Sequence, residues 1–301
     1  MLEYRAEGLC RNASHLRREE LDHCSAAGEV LQSTALAFDT NRRLRFELGG
    51  QRAYMPFEEC VDVAPHEEIT DIAVLTRVGR ATCFVITGTE TDENGEEVFL
   101  LSRALAQRLC RRQYLDTLEA GSVIPCTVTH IENFGAFCDI GCGVPALLGL
   151  REICVSRIRH PSDCLHIGQQ LYTVLRSLDP VQRRVWLTQR ELLGTWEENA
   201  VRFRPGQTVA GVVRARQPYG VFISLTPNLS GLAAPDDTLQ PGQPVCVFIK
   251  AIQPETLKIK LCVLHRLDSM PAQPLRYMKT EGHLDIWRYG SPALAKVLTI
   301  F

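Results

Sequence analysis

The feature that most narrows the possible fold is an internal repeat at an offset of 85 residues, where "ENFGAFCDIG" at 132–141 lies over "QPYGVFISLT" at 217–226. The flanks keep step. Each copy opens on a glycine and an alternating stretch, "GSVIPCTVTHI" from Gly121 and "GQTVAGVVRAR" from Gly206, then passes through an aromatic-Gly-x-Phe motif into a glycine-containing third strand. A Gly-Gln strand start follows (Gly168-Gln169, Gly242-Gln243), and then a basic closing strand, "RRVWLTQ" or "LKIKLCV". Some five strand-like segments in a unit of 85 residues are too many for a solenoid repeat and fit tandem all-β barrels.

A fainter third copy precedes these two, from Gly28 to about Gln107, with "RAYMPFEE" as its third strand and "VFLLSR" as its last. It carries "RLRFELGG" in place of the aromatic motif, so the barrel is expected to persist while its surface has changed. Helix formers fill 102–118 and 190–203, ended by Gly121 and by Pro205-Gly206, and read as linkers packed on neighbouring barrels. A further helix is predicted over 14–24, with Ser14 as N-cap. The predicted organisation is therefore an N-terminal helical segment (1–27), a divergent barrel (28–105), a linker (106–120), a barrel (121–190), a linker (191–205), a barrel (206–266) and a tail (267–301) with a hairpin turn at Gly282.

Length and composition add limits. A chain of 301 residues that is 45% hydrophobic can bury several small cores. No run approaches the roughly 18 apolar residues of a membrane span, and "MLEYRAEGLC" lacks the order of a secretory signal, so a cytoplasmic place without a membrane partner is expected. The twelve cysteines are scattered, and the close pair Cys138 and Cys142 has no partners at finger-like spacing. They read as reduced packing residues, with no cofactor or metal expected. The net charge of −2 hides an asymmetry: residues 1–120 carry 14 Lys+Arg against 21 Asp+Glu, whereas 121–301 carry 19 against 14. The later part is thus suited to a polyanion.

Strand alternation sets the direction of the rings. With Ala136, Cys138 and Ile140 inward, Phe137 and Asp139 face outward; with Val221, Ile223 and Leu225 inward, Phe222 and Ser224 do. Phe134 and Tyr219 stand just before the motif glycine, which is read as leaving room for a flat ligand. Such rings can stack on bases, or can cover a linker helix or a neighbouring barrel. On the closing strands Val185 and Leu187 point inward, leaving Arg184, Trp186 and Thr188 outward, and Ile259 and Leu261 inward leave Lys258 and Lys260 outward. A basic strand alone is a solvated face; beside exposed rings it suits a single-stranded nucleic acid.

In these residues, and in the linker "ELLGTWEENAVRF" before "GQTVAGVVRARQPYGVFISLTPNLSGL", the chain resembles the bacterial ribosomal protein S1 family, as a short S1-like protein with tandem S1 RNA-binding domains. The resemblance implies five-stranded barrels of the oligonucleotide-binding fold, with a strand-two and strand-three face for single-stranded RNA. It places the family's aromatic positions on Phe134, Phe137, Tyr219 and Phe222, and its closing-strand basic position on Arg184 and Lys258. Many members carry a histidine in the third strand where Gly149 and Ala234 stand, so weak, sequence-tolerant binding per barrel is implied, strengthened by linkage. Arg157, Arg159 and His160 in "VSRIRHPSD" either contact phosphates or pair with acids such as Asp163.

The implied function is non-catalytic binding of messenger RNA in translation, by a monomer near the small ribosomal subunit, with the acidic first domain docking a protein. An RNA-turnover or regulatory scaffold is the competing reading. An enzyme is disfavoured, because no Gly-rich phosphate loop, Gly-x-Ser-x-Gly, His-Glu-x-x-His or two-metal acidic cluster occurs. His130 and Glu132 read as a surface hydrogen bond.

Overall fold

The computed structural model describes residues 4–92, 95–269, 275–291, 293–294 and 297–301. The chain divides into two compact units: Met1–Leu118 with Asp139–Ala146 and Asp179–Arg184, and Glu119–Cys138 with Leu147–Leu178 and Val185–Phe301.

The first unit contains β1 (Arg11–Asn12), β2 (Leu31–Thr34), β3 (Ala37–Phe38), β4 (Arg43–Leu48), in which apolar and polar residues alternate, β5 (Gln51–Pro56), β6 (Ala81–Thr91) and β7 (Glu97–Ser102). They form one sheet in the order β1-β2-β6-β7-β5-β4-β3. Successive segments of one stretch, β2 and β3, are parted by Ala35 and Leu36; β2 pairs with β6 and β3 with β4, so the sheet curls back on itself. β5 and β7 run parallel, Ala53 opposite Phe99. Alternation buries Leu44, Phe46 and Leu48 against Leu31, Met55, Phe84, Phe99 and Leu101. The helices are α1 (Arg18–Ala27), α2 (Asp71–Leu75) and α3 (Arg103–Gln113).

The N-terminal helix starts later than its sequence suggested. Ser14 is not its cap: its hydroxyl hydrogen bonds Ser33 Oγ at 3.0 Å. Arg17 is the N-cap instead, its N–H donating to Glu20 Oε2 at 2.9 Å, and Gly28 ends the helix at φ 63°. The stretch 102–118 contains α3, capped where Ser102 Oγ accepts from the Leu105 N–H at 2.8 Å, and then a short 3-10 turn at Leu115–Thr117.

The next strands are β8 (Val123–Glu132), β9 (Gly135–Asp139), β10 (Pro145–Gly149), β11 (Gln170–Asp179) and β12 (Arg184–Thr188), closed into a barrel in the order β10-β12-β11-β8-β9. A second closed barrel follows, β13 (Thr208–Gln217), β14 (Gly220–Thr226), β15 (Leu229–Ala233), β16 (Pro244–Gln253) and β17 (Lys258–Arg266), ordered β13-β14-β15-β17-β16. Parallel pairing of third and fifth strands recurs in both, as β10 with β12 and β15 with β17. Three successive stretches of the chain thus share one pairing scheme, that of the oligonucleotide-binding fold.

Within the barrel of β8–β12, α4 (Leu150–Ile153) follows β10; between the barrels, α5 (Trp196–Ala200) starts after Gly194 breaks the backbone at φ 87°. Thr195 caps α5 by a reciprocal box with Glu198. Trp196 and Phe203 pack this linker onto the core built from Val213, Val221, Ile223, Val247 and Ile259. The tail forms the antiparallel pair β18 (Ile286–Arg288) and β19 (Leu298–Ile300). Gly282 is not the turn of that pair; its carbonyl accepts from the Val123 N–H at 2.9 Å.

Three side chains read as outward are buried. The Asp139 carboxylate accepts from the N–H groups of Glu7 (2.7 Å), Gly141 (2.8 Å) and Gly143 (3.0 Å). Ser224 Oγ donates to Thr226 O at 2.6 Å, beside Ser156. Thr188 Oγ1 donates to Glu191 Oε2 at 2.5 Å. Each lies where another segment covers the outer face of its strand.

Candidate nucleic-acid interface

The turn between β8 and β9 carries Phe134, and the turn between β13 and β14 carries Tyr219; these rings are 58% and 64% exposed. Phe137 and Phe222, one step into the following strands, are half-buried. Within each barrel the two rings meet edge to face. Phe134 and Phe137 are 6.1 Å apart at 89°, and Tyr219 and Phe222 are 6.1 Å apart at 88°. In each pair the edge of one ring meets the face of the other.

The motif glycines act on the protein, not on a ligand. A Cβ on Gly135 would lie 2.5 Å from Leu148 O and 3.2 Å from Leu147 Cδ1, and one on Gly220 would strike Ala233 O and the Leu232 side chain. The room they provide is thus for the third strand, which crosses close behind the rings; the expected gap for a flat ligand is filled by that strand.

Strand pairing extends the ring site sideways. In the last barrel Phe222 lies opposite Leu232, and Leu232 opposite Lys260, giving an outward row of ring, aliphatic side chain and ammonium across β14, β15 and β17. Lys258 and Lys260 are exposed, and among the described residues no ion pair holds either. In the other barrel Leu147 lies opposite Trp186. A hollow of about 380 Å³ opens there, lined by Leu147, Gly149, Glu152, Arg176 and Trp186. Glu152 accepts from Arg176 at 2.9 Å and Arg190 at 3.1 Å, so this end is less positive than the lysine edge of its counterpart. Arg184 is exposed on β12. Sequence reasoning missed Leu147, Leu232 and Arg176; their outward alternation was the available signal.

His130 stands 6.4 Å from Phe137, its ring tilted by 30°, and its Nε2 is 2.7 Å from Glu132 Oε1 on an exposed face. The repeat gives Ala215 at the corresponding position, so this third ring belongs to one barrel only.

Arg157 and Arg159 are exposed. Asp163 accepts from the Arg159 N–H at 2.9 Å and faces Arg214 at 3.7 Å, so its carboxylate is engaged by a backbone group and a distant arginine. His160 Nδ1 accepts from the Ser162 N–H at 3.2 Å and thereby caps the turn Pro161–Asp163. The start of this loop is fixed: the Val155 N–H donates to Asn228 Oδ1 at 3.0 Å, and Ser156 Oγ meets Ser230 Oγ at 2.8 Å.

In the first domain the corresponding surface is different. Phe46 of β4 is 2% exposed and points inward. Outward Arg43 pairs with Asp39 at 3.2 Å and Glu90 at 3.3 Å and covers the Tyr54 ring at 4.2 Å. Its cations are thereby matched by local acids.

Residues 117–190 match the S1 RNA binding domain. The chain is 27% identical over 237 residues to the small ribosomal subunit protein bS1 homolog of Bacillus subtilis, covering 74% of this chain and 59% of that protein. It is 29% identical over 213 residues to small ribosomal subunit protein bS1 of Staphylococcus aureus, covering 64% and 54%. The chain thus spans little more than half the length of these curated relatives. A crystal structure of a multidomain protein with nucleic acid binding domains from Streptococcus pneumoniae matches at 17% identity and a TM-score of 0.28, over 81% of this chain and 75% of its own. Among the described residues no helix is long and apolar enough to cross a membrane.

Proposed function

We infer that this chain, with an S1 RNA-binding domain at 117–190 and bS1 proteins among its relatives, is a non-catalytic single-stranded RNA-binding protein acting in translation. The observation that carries the reading is the duplicated ring pair, with separations of 6.1 Å in both barrels and near-perpendicular planes. Unpaired bases stack on the ring pairs Phe134 with Phe137 and Tyr219 with Phe222, and Lys258, Lys260, Arg184, Arg157 and Arg159 meet phosphates. Trp186 and His160 border the path. Messenger RNA near the small ribosomal subunit is the partner this chemistry fits, bound by a monomer in the cytoplasm, and the charge-matched first domain docks a protein.

The domain limits follow the repeat: 28–105 for the divergent domain, 121–190 and 206–266 for the RNA-binding barrels. Stacking contributes roughly 1–3 kcal/mol per base. The double variant Phe137→Ala, Phe222→Ala is therefore expected to lose about tenfold or more in affinity for an unstructured RNA in a filter or polarisation assay. Parent-like affinity in a folded double variant would defeat the assignment. Sedimentation of the tagged protein with small subunits, lost after ribonuclease treatment, tests the cellular half of the reading.

A further inference from the structure

We propose that the cavity walled by β13 and β14 of the last barrel is a phosphate-ester site, which takes the phosphate of a nucleotide on Arg214. Resting on the RNA-binding reading, the site adds a grip on the backbone beside the rings.

The site begins with an irregularity in a strand. Val213 lies opposite Ile223 and Ala215 opposite Phe222, so Arg214 is the extra residue of a β-bulge in β13. A bulge re-aims the side chain that it carries. Arg214 lines a cavity of about 990 Å³ in the second unit, with Ser162 and Asp163 from the loop of the preceding barrel and Ser224 from β14. Phe222 and Ser224 share one face of β14, because Val221 and Ile223 point inward between and beside them. The ring pair and the cavity are therefore neighbours on one sheet face, and a strand stacked on Phe222 reaches the cavity along β14. The repeat does not supply this group twice. At the corresponding position of the preceding barrel stands Thr129, whose hydroxyl donates to Phe137 O at 3.1 Å.

The Arg214 fork is incompletely used. Its side chain is 11% exposed, and its buried Nε–H has no hydrogen-bond partner among the described residues. Asp163 Oδ2 stands 3.7 Å from Arg214 Nη1, outside hydrogen-bond reach, and already accepts from the Arg159 N–H at 2.9 Å and the His160 N–H at 3.4 Å. Arg103, buried in the first unit, differs: it donates to Glu7 and to the carbonyls of Cys60 and Gly143. A buried donor left unpaired is costly, and a guanidinium presents its N–H groups in a fork that matches two phosphate oxygens.

The surrounding charge agrees. Arg202 and Arg276 also line the cavity, both exposed and without an ion pair among the described residues, so three arginines stand against one carboxylate. A cavity of this size admits a nucleotide. Phosphate contacts position a strand without reading its bases. The same ester occurs in an RNA strand and in a free mononucleotide, and titration with each separates the two sources.

The test uses the full chain labelled with ¹⁵N-arginine. The Arg214 Nε–H signal, identified by its loss in Arg214→Lys, is followed in the parent during titration with an oligouridylate and, separately, with uridine 5′-monophosphate. A shift with the RNA alone assigns the site to a phosphate of the strand, and a shift with the mononucleotide shows that a free ester enters it. No shift with either overturns the proposal. In parallel, Arg214→Gln should bind the oligouridylate about fivefold more weakly, with the slope of log affinity against log salt lowered by about 0.7 for the one phosphate released. Arg214→Lys keeps the charge without the fork, and should restore the slope but only part of the affinity. A folded Arg214→Gln variant with the parent's affinity and slope would overturn the site and leave the ring assignment standing. Parent-like binding by Phe137→Ala, Phe222→Ala would strike the rings instead, and the Nε–H signal would still report on the cavity.

Discussion

Gly149 offers a direct test of how the ring site works. Its backbone is ordinary, with φ −65° and ψ 150°, and the nearest atom to an added Cβ is Glu152 Cγ at 3.7 Å. A side chain therefore fits, and the position borders the hollow beside Trp186. Gly149→His should leave the melting temperature near the parent's and tighten RNA binding, by roughly 1 kcal/mol for one more stacking ring. Gly135→Ala should do the reverse, because its Cβ would meet backbone Leu148 O at 2.5 Å: lowered stability, and RNA binding lost only with the fold. Thermal melts and polarisation titrations of the two variants separate a binding gap from a structural one. Sequence alone made the opposite assignment for Gly135. The motif shows that no side chain is wanted there, but which neighbour excludes it depends on a strand that starts ten residues later, at Pro145.

At the scale of the element, period-two alternation read the closing strand β17 correctly: Ile259 and Leu261 are 1% and 3% exposed while Lys258 and Lys260 are exposed. It failed at Asp139, Thr188 and Ser224 for one reason. Alternation separates the two faces of a strand but says nothing about what covers the outer face, and those three are covered by Glu7, Glu152 and Ser156, from other parts of the chain. The helix start failed similarly, since Ser14 met Ser33 first. Along β17 the outer face is open, and the two lysines follow the ring row of Phe222 and Leu232. Replacing both by Gln should lower the slope of log affinity against log salt by about 0.7 for each phosphate of a single strand that a lysine no longer neutralises. Stability should change by less than about 0.5 kcal/mol, as both side chains are at the surface. An unchanged salt slope would remove β17 from the RNA path.

At the scale of the whole molecule, each unit has a polar feature that sets its behaviour. In the first, burial and the Glu7 carboxylate push Asp139 up to about 7. Burial would raise Glu7 too, but Arg103, Arg77 and the Cys83 N–H outweigh it and hold Glu7 below the usual carboxylate range. The signs differ. Asp139 binds its proton more tightly in the fold, so its contribution is full below its ordinary 3.8 and is lost as pH rises through about 7. Glu7 contributes above its ordinary 4.5 and loses that contribution as pH falls. Denaturant midpoints should therefore be higher near about pH 5.5 than about pH 8.5, with the difference reduced in Asp139→Asn. In the second unit the two barrels meet at Asn228, 1% exposed, whose Nδ2 donates to Arg190 O and Gly194 O at 2.7 Å each while Oδ1 accepts from Val155. One amide thus ties the last barrel to the linker and to the loop of the barrel before it. Asn228→Ala leaves two carbonyls and one N–H unpaired and should cost on the order of 3 kcal/mol. None of the four rings is touched, so a short oligonucleotide that occupies one barrel should bind as before. An RNA long enough to engage both barrels gains from the high effective concentration that a fixed joint maintains, and loosening the joint should cost it about tenfold in affinity. Equal losses for short and long RNA would mean that Asn228 supports each barrel separately and that the joint does not organise the pair.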